Sequence, residues 1–141
     1  MKKNYSSILT TPYSFKIYSE TAQLPSNWDD LAVSTIFLSK KYLEILEKSS
    51  PENMVCHFIG LFENETLVGI ALSQFLDLNL LESFGDRDKC IKTTVRNLVF
   101  RNFGSHVLVI GNNMLTGQNS FALSESIDKK KALQTLRSAT T

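Results

Sequence analysis

Between Met54 and Asn79 the chain passes through two apolar stretches, MVCHFIGLF and TLVGIALSQFLDLN, separated only by the polar ENE. That pattern predicts two strands joined in a hairpin with Asn64-Glu65 at the tip, because asparagine tolerates the left-handed backbone of a short hairpin turn. In the first strand both alternating sets are apolar, Val55, Ile59 and Leu61 against Met54, Phe58 and Phe62, which predicts cover on both faces. In the second, Val68, Ile70, Leu72, Leu76 and Leu78 share one face, and Gly69, Ala71, Ser73 and Phe75 share the other. A face lined by Gly, Ala and Ser lets a helix or a ligand come close to the backbone.

The flanking pattern supplies the other elements. Residues 1–12 are polar and read as a flexible N-terminal tail, and 13–141 as a single domain. Tyr13, Phe15 and Ile17 alternate with Ser14 and Lys16, as in a half-buried first strand. Pro25 with Ser26 or Asn27 opens a short helix that carries Asp29 and Asp30 in its first turn. Trp28 is the one tryptophan, and it reads as the anchor that packs this helix on the sheet.

In LSKKYLEILEKSSP, Ser39 is the N-cap and Leu38 meets Leu43 as a hydrophobic staple. Tyr42, Leu43, Ile45 and Leu46 form the apolar stripe, Glu44 pairs with Lys48, and Pro51 ends the helix. Further on, Ile91, Val95, Leu98 and Val99 predict a basic helix from Asp86 or Asp88 to Gly104, with Lys89, Lys92, Arg96 and Arg101 on a solvated face. HVLVI, 106–110, reads as a central strand buried on both faces. A last helix begins after Ser124 or Ser126 and carries Ile127, Ala132, Leu133 and Leu136. The order β-α-α-β-β-α-β-α is mixed α/β, of the α+β kind, with a partly antiparallel sheet around a central hairpin and flanking helices.

Charge and composition narrow the function classes. The formal net charge is +1, too small for a nucleic-acid binder driven by bulk electrostatics. Cys56 and Cys90 are too few for a disulfide framework and lack metal-ligand spacing, and Cys56 reads as a small core residue. No signal-peptide run and no membrane-span run occurs, so a cytoplasmic, reduced setting fits best. His57 and His106, the two histidines, sit in or beside strands and read as structural, with no metal site. The sequence contains no GxxxxGK[ST], no GxSxG and no GxGxxG, and no catalytic base is identifiable.

Two polar features interrupt this apolar scaffold. Ser73 and Gln74 fall inside the second hairpin strand. The plainer reading is a solvated strand end; a buried Gln74 would need partners. The segment from Gly111 to Asn119, GNNMLTGQN, follows the HVLVI strand and supplies flexible backbone and neutral donors. It is either a long turn or a loop that binds a phosphate or another polar ligand, since strand, glycine-containing loop and helix in succession can aim backbone N–H groups at an anion.

In its order of elements, YSFKIY, the Trp28 segment, LSKKYLEILEKS, the hairpin HFIGLFENETLVGIALSQF, HVLVIG and the final helix, the chain resembles the first half of the GNAT superfamily of acyl-CoA-dependent N-acyltransferases. FLSKKYLEILEK, LVGIALSQF and VLVIGNNMLTGQNSF are also similar to uncharacterised bacterial GNAT-like proteins related to the peptidoglycan aminoacyl-ligating (FemAB-type) enzymes. The resemblance spans about Tyr13 to Ala139, and its recognisable wording lies in the hairpin and the Gly-Asn loop. It implies a GNAT-like sheet, acyl-CoA as cofactor, an amine as acceptor, and Gly111, Asn112, Asn113, Thr116, Gly117 and Gln118 as the cofactor-binding residues. Three departures accompany it. The loop lacks the family's phosphate signature, a helix is inserted between the third and fourth strands, and the chain stops before the fifth strand that would splay from the fourth to admit the cofactor.

The expectation is therefore an amino-terminal portion of an N-acyltransferase, its sheet incomplete at the C-terminus. The alternative is a non-catalytic α/β module that self-associates or binds a partner protein through an open sheet edge. A third reading is a small-ligand sensor that uses the Gly-Asn loop. None of the three involves nucleic acid or a membrane.

Overall fold

Asn64 and Glu65 both adopt positive φ, 45 and 71, the backbone of a two-residue type I′ turn. They join β2 (Met54–Glu63) to β3 (Thr66–Asp77) in the predicted hairpin. The protein is described here by a computed structural model covering residues 12–77, 106–113, 115 and 120–140. The predicted helix between Asp86 and Gly104, Cys90, Leu78 and the tail before Pro12 lie outside the described residues.

All pairings in the five-stranded sheet are antiparallel, so the class is α+β. The order is β1 (Tyr13–Tyr18), β2, β3, β4 (His106–Ile110). A short β5 (Phe121–Leu123) also pairs with β3, beside Gly69 to Ala71, while β4 takes Ser73 to Asp77. The two therefore lie end to end on one edge of β3.

Helices cover both faces. On one lie α1 (Trp28–Leu31), α2 (Lys40–Ser49) and short 3-10 turns at Thr21–Gln23, Ala32–Ser34 and Ile36–Leu38. Trp28 is fully buried there with Leu38, Leu43, Phe58, Ile70 and Leu72. Its indole N–H donates to the Leu38 carbonyl at 2.8 Å, so the lone tryptophan is the expected anchor. Ser39 caps α2 by accepting from the Tyr42 N–H, Asp29 accepts from the Lys40 N–H at 2.8 Å, and Glu44 pairs with Lys48 at 2.6 Å. Ile45, predicted in the apolar stripe, is 58% exposed. The stripe that packs is Leu43 and Leu46, with Tyr42 partly buried, because a 3.6-residue period turns position 45 away from them.

On the other face lies α3 (Lys129–Ala139), whose Ala132 and Leu136 pack on Ile59, Leu61, Val68 and Ala71. The small side chains predicted on this face do admit a helix. The helix starts a few residues later than expected, capped by Asp128, and Leu133 is 45% exposed because it lies off the Ala132–Leu136 stripe.

Val68 is on the opposite face from the one its alternation predicts. Phe62 pairs with Leu67 but Leu61 pairs with Gly69, leaving Val68 as the extra residue of a β-bulge. The bulge shifts the alternation by one: Leu67 joins Ile70 and Leu72, while Val68 joins Ala71.

Three strands are more open than their sequences imply. β4, expected to be central, lies at an edge among the described strands, with Val107 39% and Leu108 43% exposed. β1 forms as predicted, but Phe15 and Ile17 are exposed and only Tyr18 is buried. β2 is covered on both faces at Phe58 and Ile59, yet Val55 is 50% exposed. Pattern reports how apolar a strand is; neighbours decide how much of it is covered.

Candidate functional site

Leu72, midway along β3, organises the polar end of the sheet. Its carbonyl accepts from the Gly111 N–H at 2.7 Å, and its N–H donates to the Ser120 carbonyl at 3.3 Å. Gly111 and Ser120 thus close the neck of a loop that leaves the sheet after β4 and returns as β5. Gly111 sits at φ +123, where an added Cβ would lie 2.8 Å from the Ser120 Cβ. Glycine is required there by both backbone and space.

Gln74 anchors the loop from beneath. It is fully buried, and its side-chain carbonyl accepts from the Asn113 N–H at 2.8 Å. Its amide nitrogen donates to the Cys56 sulfur at 3.7 Å, and the Ser50 hydroxyl lies 3.5 Å from the same sulfur. The solvated-end reading of this segment is overturned: Ser73 is 4% and Gln74 0% exposed, because β4 and the loop cover that stretch of β3. Asn112 extends the anchoring to another layer, its amide donating to the Tyr42 hydroxyl on α2 at 2.9 Å. Tyr42 is in turn fixed edge-on against Phe37, 5.2 Å between ring centres.

Of the residues expected to bind a cofactor, Gly111, Asn112 and Asn113 come together at this neck. Thr116, Gly117 and Gln118 lie outside the described residues. Sequence reasoning missed Tyr42, counted only as part of an apolar stripe; its hydroxyl was the available signal. It saw Gln74 as an interruption, but not that the amide faces the loop.

The loop does not run straight into a helix, as expected, because β5 intervenes. The first-turn N–H groups of α3 at Lys130 and Lys131 donate to the Asp128 carboxylate at 3.0 and 3.4 Å. The anion-seeking end of that helix is thus occupied by its own cap. What the loop offers an anion is neutral donors, with no carboxylate anywhere from Val107 to Phe121.

The histidines lie apart from this neck. His106 stacks on Phe75 at 5.3 Å, its Nε2 3.8 Å from Asp77. His57 lines a groove of about 260 Å³ with Ile17, Leu108 and Thr140. Among the described residues no group of three or more His, Cys, Asp or Glu is placed to hold a metal ion, and no helix is long and apolar enough to cross a membrane. No family model matches the chain, and neither a curated protein nor a solved structure matches it.

Proposed function

We propose that the chain carries the amino-terminal elements of a GNAT-type N-acyltransferase, with the 111–118 loop as the contact for the pyrophosphate of an acyl-CoA. The observation that carries this reading is the neck: a polar loop at the end of an edge strand, pinned from below by a fully buried amide. A buried polar side chain is retained against its desolvation cost when it holds something in place.

The donors between Gly111 and Gln118 are neutral and no carboxylate opposes a phosphate. The Gly111 and Asn113 N–H groups and the Asn112 amide are spent on Leu72, Gln74 and Tyr42. In this reading they position the loop, and the phosphate oxygens fall to Thr116, Gly117 and Gln118. The outer side of β4 bears no partner strand among the described residues, and it is beside this fourth strand that the resemblance implies cofactor entry. Acyl-CoA supplies the activated thioester that an amine attacks directly; the protein's part is positioning and backbone donors for the developing oxyanion.

The test is thermal unfolding of the purified chain with and without excess acetyl-CoA. Ligand at about 100 times its dissociation constant stabilises by about 2.7 kcal/mol, which raises the midpoint by several degrees. The expected result is that rise, and its loss in Gly117→Trp without a change in the unliganded midpoint. A cooperative transition indifferent to millimolar acetyl-CoA would overturn the reading.

A further inference from the structure

α3 covers only part of the sheet face on which it lies. Ala132 and Leu136 pack on Ile59, Leu61, Val68 and Ala71. The helix ends at Ala139, and its cap Thr140 walls a groove of about 260 Å³ with Ile17, His57, Ser73 and Leu108. Past that groove the same face is apolar. Val55 pairs with Phe75 and Phe75 with Leu108, so the three side chains form one row across β2, β3 and β4. All three are exposed, as is Ile17 on β1. An apolar sheet face is stable when another element covers it.

The chain brings such an element to this place. β3 ends at Asp77, β4 begins at His106, and these two residues are register partners, two positions along from Phe75 and Leu108. The connection 78–105 therefore leaves the sheet and returns to it at the rim of the apolar row. Within it, Ile91, Val95, Leu98 and Val99 predict an amphipathic helix that closes at Gly104. Two residue steps from Gly104 to His106 tie the end of that helix within about 7 Å of the sheet. On the other side, residues 78–85 can reach about 26 Å when extended, against a length of about 27 Å for a helix over 86–103. The lead is thus long enough for the helix to lie flat across the face and run back to His106. Residues 1–11 are rooted elsewhere: the Pro12 carbonyl accepts from the Asn64 N–H at the hairpin tip, the opposite end of β2 from Val55.

We infer that the 86–103 segment docks on the uncovered half of the α3 face, with Ile91, Val95, Leu98 and Val99 set against the row Val55, Phe75 and Leu108. The groove at Thr140 is then the seam between this segment and α3. Lys89, Lys92, Arg96 and Arg101 stay on the solvent side. The insertion that departs from the resemblance thereby becomes the second member of the α3 layer.

The test places a photoreactive benzophenone side chain at Val55 in the full chain and maps the cross-link by trypsin and mass spectrometry. The expected product is an intramolecular link to residues within 90–101. The same probe at the exposed Leu108 serves as a second variant should the first fail to unfold cooperatively. In parallel, Val55→Asp is expected to speed amide exchange over 91–99 at least tenfold. Unchanged exchange at Phe58 and Leu72 would show that the sheet of this variant is intact. Links that go to residues 1–11 or to a second copy of the chain would overturn the inference. So would folded probe variants that give no link, or exchange over 91–99 that is unprotected in the parent or indifferent to Val55→Asp.

Discussion

The side-chain carbonyl of Gln74 lies 2.8 Å from the backbone nitrogen of Asn113, and this contact crosses from the centre of the sheet to the loop beyond β4. Gln74 is fully buried, so water cannot take its place. Replacing it with leucine keeps the bulk and removes the acceptor. Asn113 itself is exposed, so the loss is the net worth of one hydrogen bond, about 0.5–1.5 kcal/mol. Gln74→Leu is expected to lose stability in that range in urea unfolding, and the Asn113 amide to exchange faster. An unchanged Asn113 exchange rate would remove Gln74 as the anchor.

Gly111 combines two constraints that mutation can separate. Alanine there meets a backbone at φ +123 and a Cβ 2.8 Å from that of Ser120. Strained backbone of this kind costs about 1–3 kcal/mol, and the overlap adds to it. Gly111→Ala is expected to be strongly destabilising. Adding Ser120→Gly should recover the overlap part and leave the strain, a coupling readable from a double-mutant cycle. Strict additivity would mean that the two residues do not meet.

Glu65 occupies the second turn position with φ 71. An L-residue in the left-handed region carries about 1–2 kcal/mol of strain that glycine avoids, partly offset by glycine's freer unfolded chain. Glu65→Gly should therefore raise stability modestly, by about 0.5–1 kcal/mol. A loss of stability would show that the Glu65 side chain makes a contact worth more than the strain.

Glu44 and Lys48 pair on the exposed side of α2. Its hydrogen bond to Lys48, reinforced by charge, holds Glu44 below its ordinary 4.5; the same bond raises Lys48 above 10.5. A depressed carboxylate contributes stability above its unfolded value and loses it as pH falls through the folded one. The raised lysine contributes below 10.5 and loses it as pH climbs past its folded value. Any deficit of Glu44→Gln against the parent should be seen at neutral pH and vanish in strong acid. A deficit that persists in acid would point to packing instead of charge.

The hairpin was legible because Asn64-Glu65 interrupts two long apolar runs, and the start of α2 because Ser39 stands where a cap must. Trp28 as an anchor followed from its size. The face of Val68 was not legible, since one bulge residue reverses alternation and carries no mark of its own. The exposure of HVLVI was equally hidden: an apolar strand reads the same whether or not a neighbour arrives on its far side. Half of the site was readable as composition, two glycines and several amides between Gly111 and Asn119. The other half, Gln74 and Tyr42, lies 39 and 70 residues from its partners, and no local pattern encodes a contact across that distance.

Both backbone bonds that Leu72 makes toward the β4–β5 edge go to the two ends of one excursion. To the rest of the sheet, Gly111 and Ser120 are consecutive footholds, with Asn112 and Asn113 tied down just beyond the first. Lengthening a closed loop costs only about 0.6 kcal/mol per doubling. Past Asn113 the chain is thus free to diverge in length and chemistry before Ser120 while the sheet beneath stays in register.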